Sequence, residues 1–244
     1  GPASNYEKPK SYGDKGVLAC VCDSTNVLVD GHSGSEEKVR EHLTDLIGQQ
    51  RNRVVVTTFA SNIARLDTIL RAAHKAGRAV CLAGRSMHRM METAHEAGYL
   101  TEETSFVSDK EASNVPRNDM LILCTGCQGE PRAALTRMAN DSHPTISLTA
   151  GDTVIMSSRK IPGNEIGINK TVNTLIRKGV EVITDKDFYI HVSGHPAKDE
   201  LKKMYELVRP KIAIPTHGEA QHLHAHCQFA LAQGVEHALE MENG

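Results

Sequence analysis

Short apolar runs alternate with amphipathic stretches along the chain, and the hydrophobic period switches between strand-like and helix-like each time. Residues 17–22 (VLACVC) are apolar without interruption, which predicts a strand buried on both faces. A Gly- and Ser-rich loop follows. Ser33-x-x-Glu36 then has the spacing of a capping box and predicts a helix to about residue 47. Residues 53–58 (RVVVTT) are β-branched and strand-like. Ser61 is the expected cap of a helix that places Ile63, Leu66, Ile69 and Leu70 on one face and stops at Gly77. The alternation continues with strands at 79–82, 120–124, 153–156, 180–184 and 211–214. Helices are predicted at 87–97, in a stretch ending near 178, at 197–207 and at 219–232. Pro131 marks the first turn of a helix after 120–124, and 101–118 is polar and irregular.

Such spacing predicts an α/β fold, a mostly parallel sheet with helices on both faces. Function in such sheets collects in the loops beyond the carboxyl ends of the strands. Those corners are small and polar: CDSTN at 22–26, TFASN at 58–62, GRSM at 84–87, TGCQGE at 125–130, SSR at 157–159, HVSGH at 191–195 and PTHGE at 215–219. One corner alone is ordinary turn and cap chemistry. Seven of them, with an Asp and two Gly-flanked His, point to anion binding at helix starts. No GxxxxGK[ST] and no strand-linked GxGxxG occurs, so nucleotide-binding readings lose their main support.

Composition narrows the choice. The 244 residues allow one large domain or a main domain with an appendage. Lys+Arg 28 against Asp+Glu 30 excludes a uniformly basic coat, so a polyanion must be held in a local groove. Five Tyr, four Phe and no Trp leave little for an extended base-stacking platform. There is no long apolar run or basic-then-apolar leader, so no membrane partner is expected. Six Cys lie mostly in apolar runs and read as reduced thiols of a cytoplasmic protein. Residues 1–12 read as a tag remnant and linker.

With SGSEE at 33–37, FASNIAR at 59–65, TGCQGEP at 125–131, IPGNE at 161–165 and HVSGHP at 191–196, the corners in this order resemble one family, ribonuclease J of the metallo-β-lactamase/β-CASP nucleases. The resemblance runs from about residue 13 to 235. It implies a Rossmann-like β-CASP domain inserted in a metallo-β-lactamase domain that holds two zinc ions. It also implies 5′-to-3′ exonucleolytic and endonucleolytic cleavage of RNA carrying a 5′-monophosphate. By motif, Asp23 resembles the family's acidic catalytic residue, His195 the partner that protonates the leaving oxygen, and His217 a metal ligand. Ser193, Gly194 and His195 resemble phosphate-holding residues. Gly126, Cys127, Gln128, Gly129 and Glu130 resemble the loop beside the 5′-phosphate pocket, with Cys127 where the family usually has Ser. Phe59, Ser61, Asn62, Arg65, Arg85 and Ser86 resemble groups lining the RNA path. The chemistry suits the residue types, since a carboxylate beside an imidazole favours the protonated ring that a leaving-group acid needs.

The family's HxHxDH metal motif is missing. The resemblance therefore implies a fragment: 13–30 a metallo-β-lactamase remnant, 31–190 the β-CASP domain, and 191–244 the return segment. His217 alone cannot hold two zinc ions, so the fragment is expected to hydrolyse nothing, and the missing half becomes its partner. The pieces that normally abut that half should expose an apolar patch or an unpaired strand edge, giving a homo-oligomer. The competing readings are a non-catalytic RNA or protein interaction module and a Rossmann-like nucleotide binder. Cys124-x-x-Cys127 has metal or redox spacing but no second pair, and reads as core. His222, His224 and His226 with Cys227 read as an exposed helix surface, and Met87, Met90 and Met91 as inward packing.

Overall fold

A computed structural model describes residues 5–100 and 105–241. The expected tag remnant at 1–4, and 101–104 of the polar stretch, lie outside the described residues. In chain order the elements are α1 Glu7–Lys15, β1 Val17–Asp23, α2 Glu36–Gln49, β2 Val54–Thr57, α3 Ile63–Lys75, β3 Ala79–Ala83, α4 Arg85–Glu96, β4 Phe106–Val107 and β5 Met120–Cys124. They continue as α5 Ala134–Ala139, β6 Thr153–Met156, α6 Glu165–Arg177, β7 Glu181–Ile183, α7 Lys198–Val208, β8 Pro210–Thr216, α8 Ala220–Ala232 and β9 His237–Ala238. The chain forms two compact units, one of residues 35–192 and one of 1–34 with 193–244.

The 35–192 unit is a six-stranded sheet in the order β4-β3-β5-β2-β6-β7, parallel at every pairing. Its central strands β2 and β5 are buried along their whole length. Strand alternation divides their side chains between two cores. Val54, Val56, Leu121 and Leu123 join Leu43, Ile47, Leu66, Ile69 and Met87 from α2, α3 and α4. Val55 and Ile122 join Leu135, Met138, Ile168 and Leu175 from α5 and α6. This is the predicted α/β architecture with helices on both faces, and each fully buried Leu or Ile contributes about 1.5–3 kcal/mol. The parallel strands all deliver their carboxyl ends to one edge.

The 1–34/193–244 unit is a three-stranded parallel sheet, β1-β8-β9, over a small core of Tyr205, Ala213, Ala230 and Val235. Here β1 is an edge strand, not the doubly buried one its apolar run predicts: Leu18 is 69% and Val21 66% exposed. Its apolar surface has one strand neighbour and little else to cover it. Residues 7–12, expected as linker, belong to α1, which packs so closely that a Cβ on Gly13 would lie 2.1 Å from the Leu207 carbonyl oxygen.

Helix α4 starts two residues before the predicted 87, and three other helix starts differ from the sequence reading through their caps or turns. Helix α2 begins after Ser35, whose Oγ accepts the Glu37 N–H. Ser33 lies beyond Gly34 (φ +106°), outside the helix, and its Oγ donates to Glu200 Oε1 at 2.7 Å. Helix α3 is capped by Asn62 rather than Ser61, the Asn62 Oδ1 accepting the Arg65 N–H at 3.1 Å. Helix α5 begins at Ala134, because Pro131 sits in a separate turn before it.

Candidate active site

In the 1–34/193–244 unit, parallel pairing of β1 with β8 puts Asp23 opposite Thr216, so Asp23 and His217 leave the sheet side by side. His195 arrives from the segment before α7. Its Nδ1 is 2.6 Å from Asp23 Oδ2, and His217 Nδ1 is 3.3 Å from the same oxygen. The Thr25 N–H donates to the other carboxylate oxygen at 2.7 Å. Residues 172 and 194 positions apart thus converge on one carboxylate. His217 holds a left-handed backbone (φ +58°), which costs a non-Gly residue about 1 kcal/mol and is supported by the turn around it. The next residue must be Gly: at Gly218 (φ +101°) a Cβ would fall 2.8 Å from the His222 Cβ.

Burial acts to raise the Asp23 pKa, but hydrogen bonds from His195, the Thr25 N–H and His217 outweigh it and hold the carboxyl at about 2. The group is an anion at any working pH, only 23% exposed, between imidazoles that are 48% and 70% exposed. With each Nδ1 turned to Asp23, each ring keeps Nε2 as its second functional edge. An oriented imidazole whose far edge reaches solvent can exchange a proton with a bound ester oxygen.

The turn that carries His195 is fixed by Asn26, a residue to which the sequence reading gave no role. Its Nδ2 donates to Ser193 Oγ and to the His195 carbonyl, both at 2.9 Å, while the His195 N–H donates to Ser193 Oγ at 3.2 Å. Gly194 is exposed at its tip. Beneath Asp23, Ser24 Oγ lies 2.9 Å from His226 Nδ1, and Tyr205 Oη lies 2.8 Å from His226 Nε2. His226 is fully buried, which corrects its placement on an exposed helix surface. The signal lay in the spacing Leu223, His226, Ala230, one inward stripe of α8.

Burial pushes the His226 pKa down to about 4, against a small opposing pull from Asp23. Burial and the neighbouring Arg65 charge do the same at His191, also to about 4. The unfolded chain takes up these protons near pH 6.5 and the folded chain only near pH 4. Between those values the unfolded state binds more protons, so stability falls on acidification through that window and is complete above it. For His226 the loss reaches about 3 kcal/mol. Urea unfolding at about pH 7 and about pH 4.5 should give the lower stability in acid, with a shallower pH dependence for His226→Gln.

In the 35–192 unit the resemblance-derived RNA residues separate into two groups. Arg85 and Ser86 are exposed at the start of α4, and with Thr125, Glu130, Arg132 and Arg137 they line a cleft of about 920 Å³. Ser61 is exposed and Phe59 half-buried at the end of β2, while Asn62 is engaged as the α3 cap. The others are turned inward, contrary to expectation. Arg65 is 0% exposed and bonded to Glu36, Ser157 and Ile190. Gln128 is buried, its amide donating to the Arg159 carbonyl and its Oε1 accepting the Ile161 N–H. Cys127 is buried and its thiol pushed up to about 11, mainly by that burial, and Gly126 and Gly129 are buried with it. The loop's side chains fasten the 159–164 turn and leave only Glu130 of the five outside. Cys124 is likewise core, its thiol raised by burial.

Among the described residues no three His, Cys, Asp or Glu side chains are arranged to hold a metal ion. Asp23 Oδ2 is already shared by two imidazoles, so the Nε2 atoms of His195 and His217 remain as the donors of this cluster, where each zinc ion takes four ligands. The donor set does not fit a pair of zinc ions. No helix among the described residues is long and apolar enough to cross a membrane.

Comparison with known proteins bears on the same residues. Residues 51–175 match the family described as "Ribonuclease J, beta-CASP domain", and 179–238 the one described as "Zn-dependent metallo-hydrolase RNA specificity domain". The chain is 43% identical over 244 residues to a ribonuclease J of Sinorhizobium meliloti, covering all of this chain and 43% of that protein. It is 43% identical over 243 residues to a ribonuclease J of Synechocystis, covering 98% of this chain and 38% of the relative. Against ribonuclease J2 of Bacillus subtilis it is 38% identical over 225 residues, 92% of this chain and 40% of the relative. The chain thus spans about two-fifths of the length of these relatives. A family match over half of the chain and relatives of one name matching it along nearly its whole length show that the chain belongs to the ribonuclease J family.

Proposed function

We propose that this chain supplies the RNA-clamping and leaving-group part of a metal-dependent ribonuclease that cleaves RNA with a 5′-monophosphate. The observation that carries the reading is the 2.6 Å contact between Asp23 and His195, with His217 on the same carboxylate. Asp23, ionised, orients the His195 ring. As a water oxygen adds to phosphorus and the ester P–O bond breaks, His195 Nε2 gives its proton to the departing ribose oxygen, a contribution worth about 10²–10⁴ in rate. Ser193 and Gly194 form the phosphate-side turn that Asn26 braces. The 35–192 unit is read as the β-CASP domain and the other unit as a metallo-β-lactamase portion. The metal ligands besides His217 belong to the part of the relatives that this chain does not cover. Two imidazole Nε2 donors do not complete a zinc site, so the chain alone is expected to hydrolyse nothing. Its six cysteines are free thiols, which agrees with a cytoplasmic protein.

Binding to oligoribonucleotides tests this reading. A 5′-phosphorylated strand should bind at least about tenfold tighter than its 5′-hydroxyl counterpart, and neither should be cleaved with or without zinc. Equal affinity for the two ends would remove the 5′-phosphate assignment, and no binding would remove the clamp. The exposed β1 edge, with Leu18 and Val21 uncovered, supports self-association in the absence of the remaining domain. Light scattering should show concentration-dependent dimers that Leu18→Lys disperses. A monomer at high concentration would contradict that.

A further inference from the structure

Among the described residues Arg65 heads the fully buried side chains by size, yet it is a charge. Its Nη2 donates to Glu36 Oε1 at 2.7 Å and its Nε to Glu36 Oε2 at 3.1 Å. Its Nη1 donates to Ser157 Oγ at 2.6 Å, to the Ser157 carbonyl at 3.2 Å and to the Ile190 carbonyl at 3.0 Å. Ser157 Oγ donates to the same Ile190 carbonyl at 2.7 Å, so both acceptor positions of that oxygen are filled. The backbone passes between the two units only at 34–35 and 192–193. Glu36 and Ile190 lie just inside the 35–192 unit at those crossings. The Ser35 N–H also donates to Tyr189 Oη at 3.1 Å, tying the entering and leaving segments directly.

We propose that Arg65 is a positioning residue: it clasps Glu36 and the Ile190 carbonyl and so fixes the point from which the backbone runs on to Ser193, Gly194 and His195. The catalytic meaning of this clasp rests on the function proposed above; the clasp itself does not. A buried Arg–Glu pair gives little stability over apolar packing of the same volume, because desolvation offsets the attraction. Apolar packing, however, cannot dictate direction. The planar guanidinium addresses a carboxylate, a hydroxyl and two carbonyls at fixed angles, which an ammonium cannot do. That is why the inward turn of Arg65 is more than a core contact.

Hydrogen exchange of the whole chain, read by mass spectrometry, tests the proposal on Arg65→Met and Arg65→Lys, with folding checked by circular dichroism. In folded Arg65→Met, amides at 188–196 should exchange at least about tenfold faster while those of β5 stay unchanged. Arg65→Lys should recover only part of the protection. Unchanged exchange at 188–196 in a folded Arg65→Met protein would overturn the proposal. Should Arg65→Met not fold, Glu36→Gln releases one arm: faster exchange at 33–38 is then expected, and no change there or at 188–196 overturns the clasp. Affinity for the 5′-phosphorylated strand is measured alongside and should weaken in Arg65→Met. If the wild-type chain binds no RNA, the functional reading falls while the exchange data still decide the clasp.

Discussion

Asp23→Asn, placed in a catalytically complete ribonuclease J that carries this chain, is expected to lower kcat by about 10³-fold while RNA affinity stays within a factor of about three. The amide preserves the shape of the carboxyl and still accepts the Thr25 N–H. It removes the anion to which two imidazoles are turned, at 2.6 and 3.3 Å. His195 then loses the partner that sets its ring orientation, and the leaving oxygen departs without an aligned acid. Affinity is spared because Asp23 carries negative charge and gives a phosphate nothing to bind. Single-turnover cleavage of 5′-phosphorylated RNA measures the effect. His195→Ala should cost a similar factor, and the double variant little more than either alone, as for groups that act as one unit. Fully multiplicative losses would mean that Asp23 and His195 act separately.

The largest stability effect is expected at His226. Removing its imidazole with His226→Ala leaves the Ser24 and Tyr205 hydroxyls, previously at 2.9 and 2.8 Å from the ring, without partners in a buried space. Two orphaned hydroxyls and a cavity together cost about 3–5 kcal/mol, a large part of the 5–15 kcal/mol typical of a folded domain. Ser24 follows Asp23 directly and its N–H donates to the Thr216 carbonyl at 2.7 Å, so the damage lies under the proposed active centre. His224→Ala, on the exposed side of the same helix, should stay within about 0.5 kcal/mol. Urea unfolding of the two variants tests the contrast. Equal, small effects would restore the reading of this histidine tract as a solvated surface.

The fold was legible where a single physical signal dominated. Continuous apolar runs such as MLILC mark central strands because a parallel strand is covered on both faces. The same rule misled at VLACVC, since hydrophobicity cannot say what covers a strand, and β1 lies at an edge with Leu18 outside. Cap positions slipped by one or two residues where neighbouring polar groups competed: Ser35 for Ser33, Asn62 for Ser61. That Asp23 and His217 meet was legible because parallel strand ends share one edge, whereas the place of His195, which follows no strand, came only from the resemblance. The direction in which a motif residue points was not legible. Arg65, Gln128 and Cys127 sit in motifs that resemble RNA-contacting ones, but their partners, Glu36, Arg159 and Ser158 among them, come from distant parts of the chain that no local pattern reveals. His226 was hidden in the alternation His222, His224, His226, which looks like surface until it is set on a helical wheel.

Complementation in trans tests most directly whether Asp23, His195 and His217 are one side of a divided active centre. The chain is mixed with a separately produced polypeptide bearing the family's HxHxDH segment, and cleavage of 5′-phosphorylated RNA is followed with zinc present. Neither piece should cut RNA alone, the mixture should, and the mixture made with Asp23→Asn should not. Zinc-dependent cleavage by this chain without its counterpart, abolished by His217→Ala, would contradict the account.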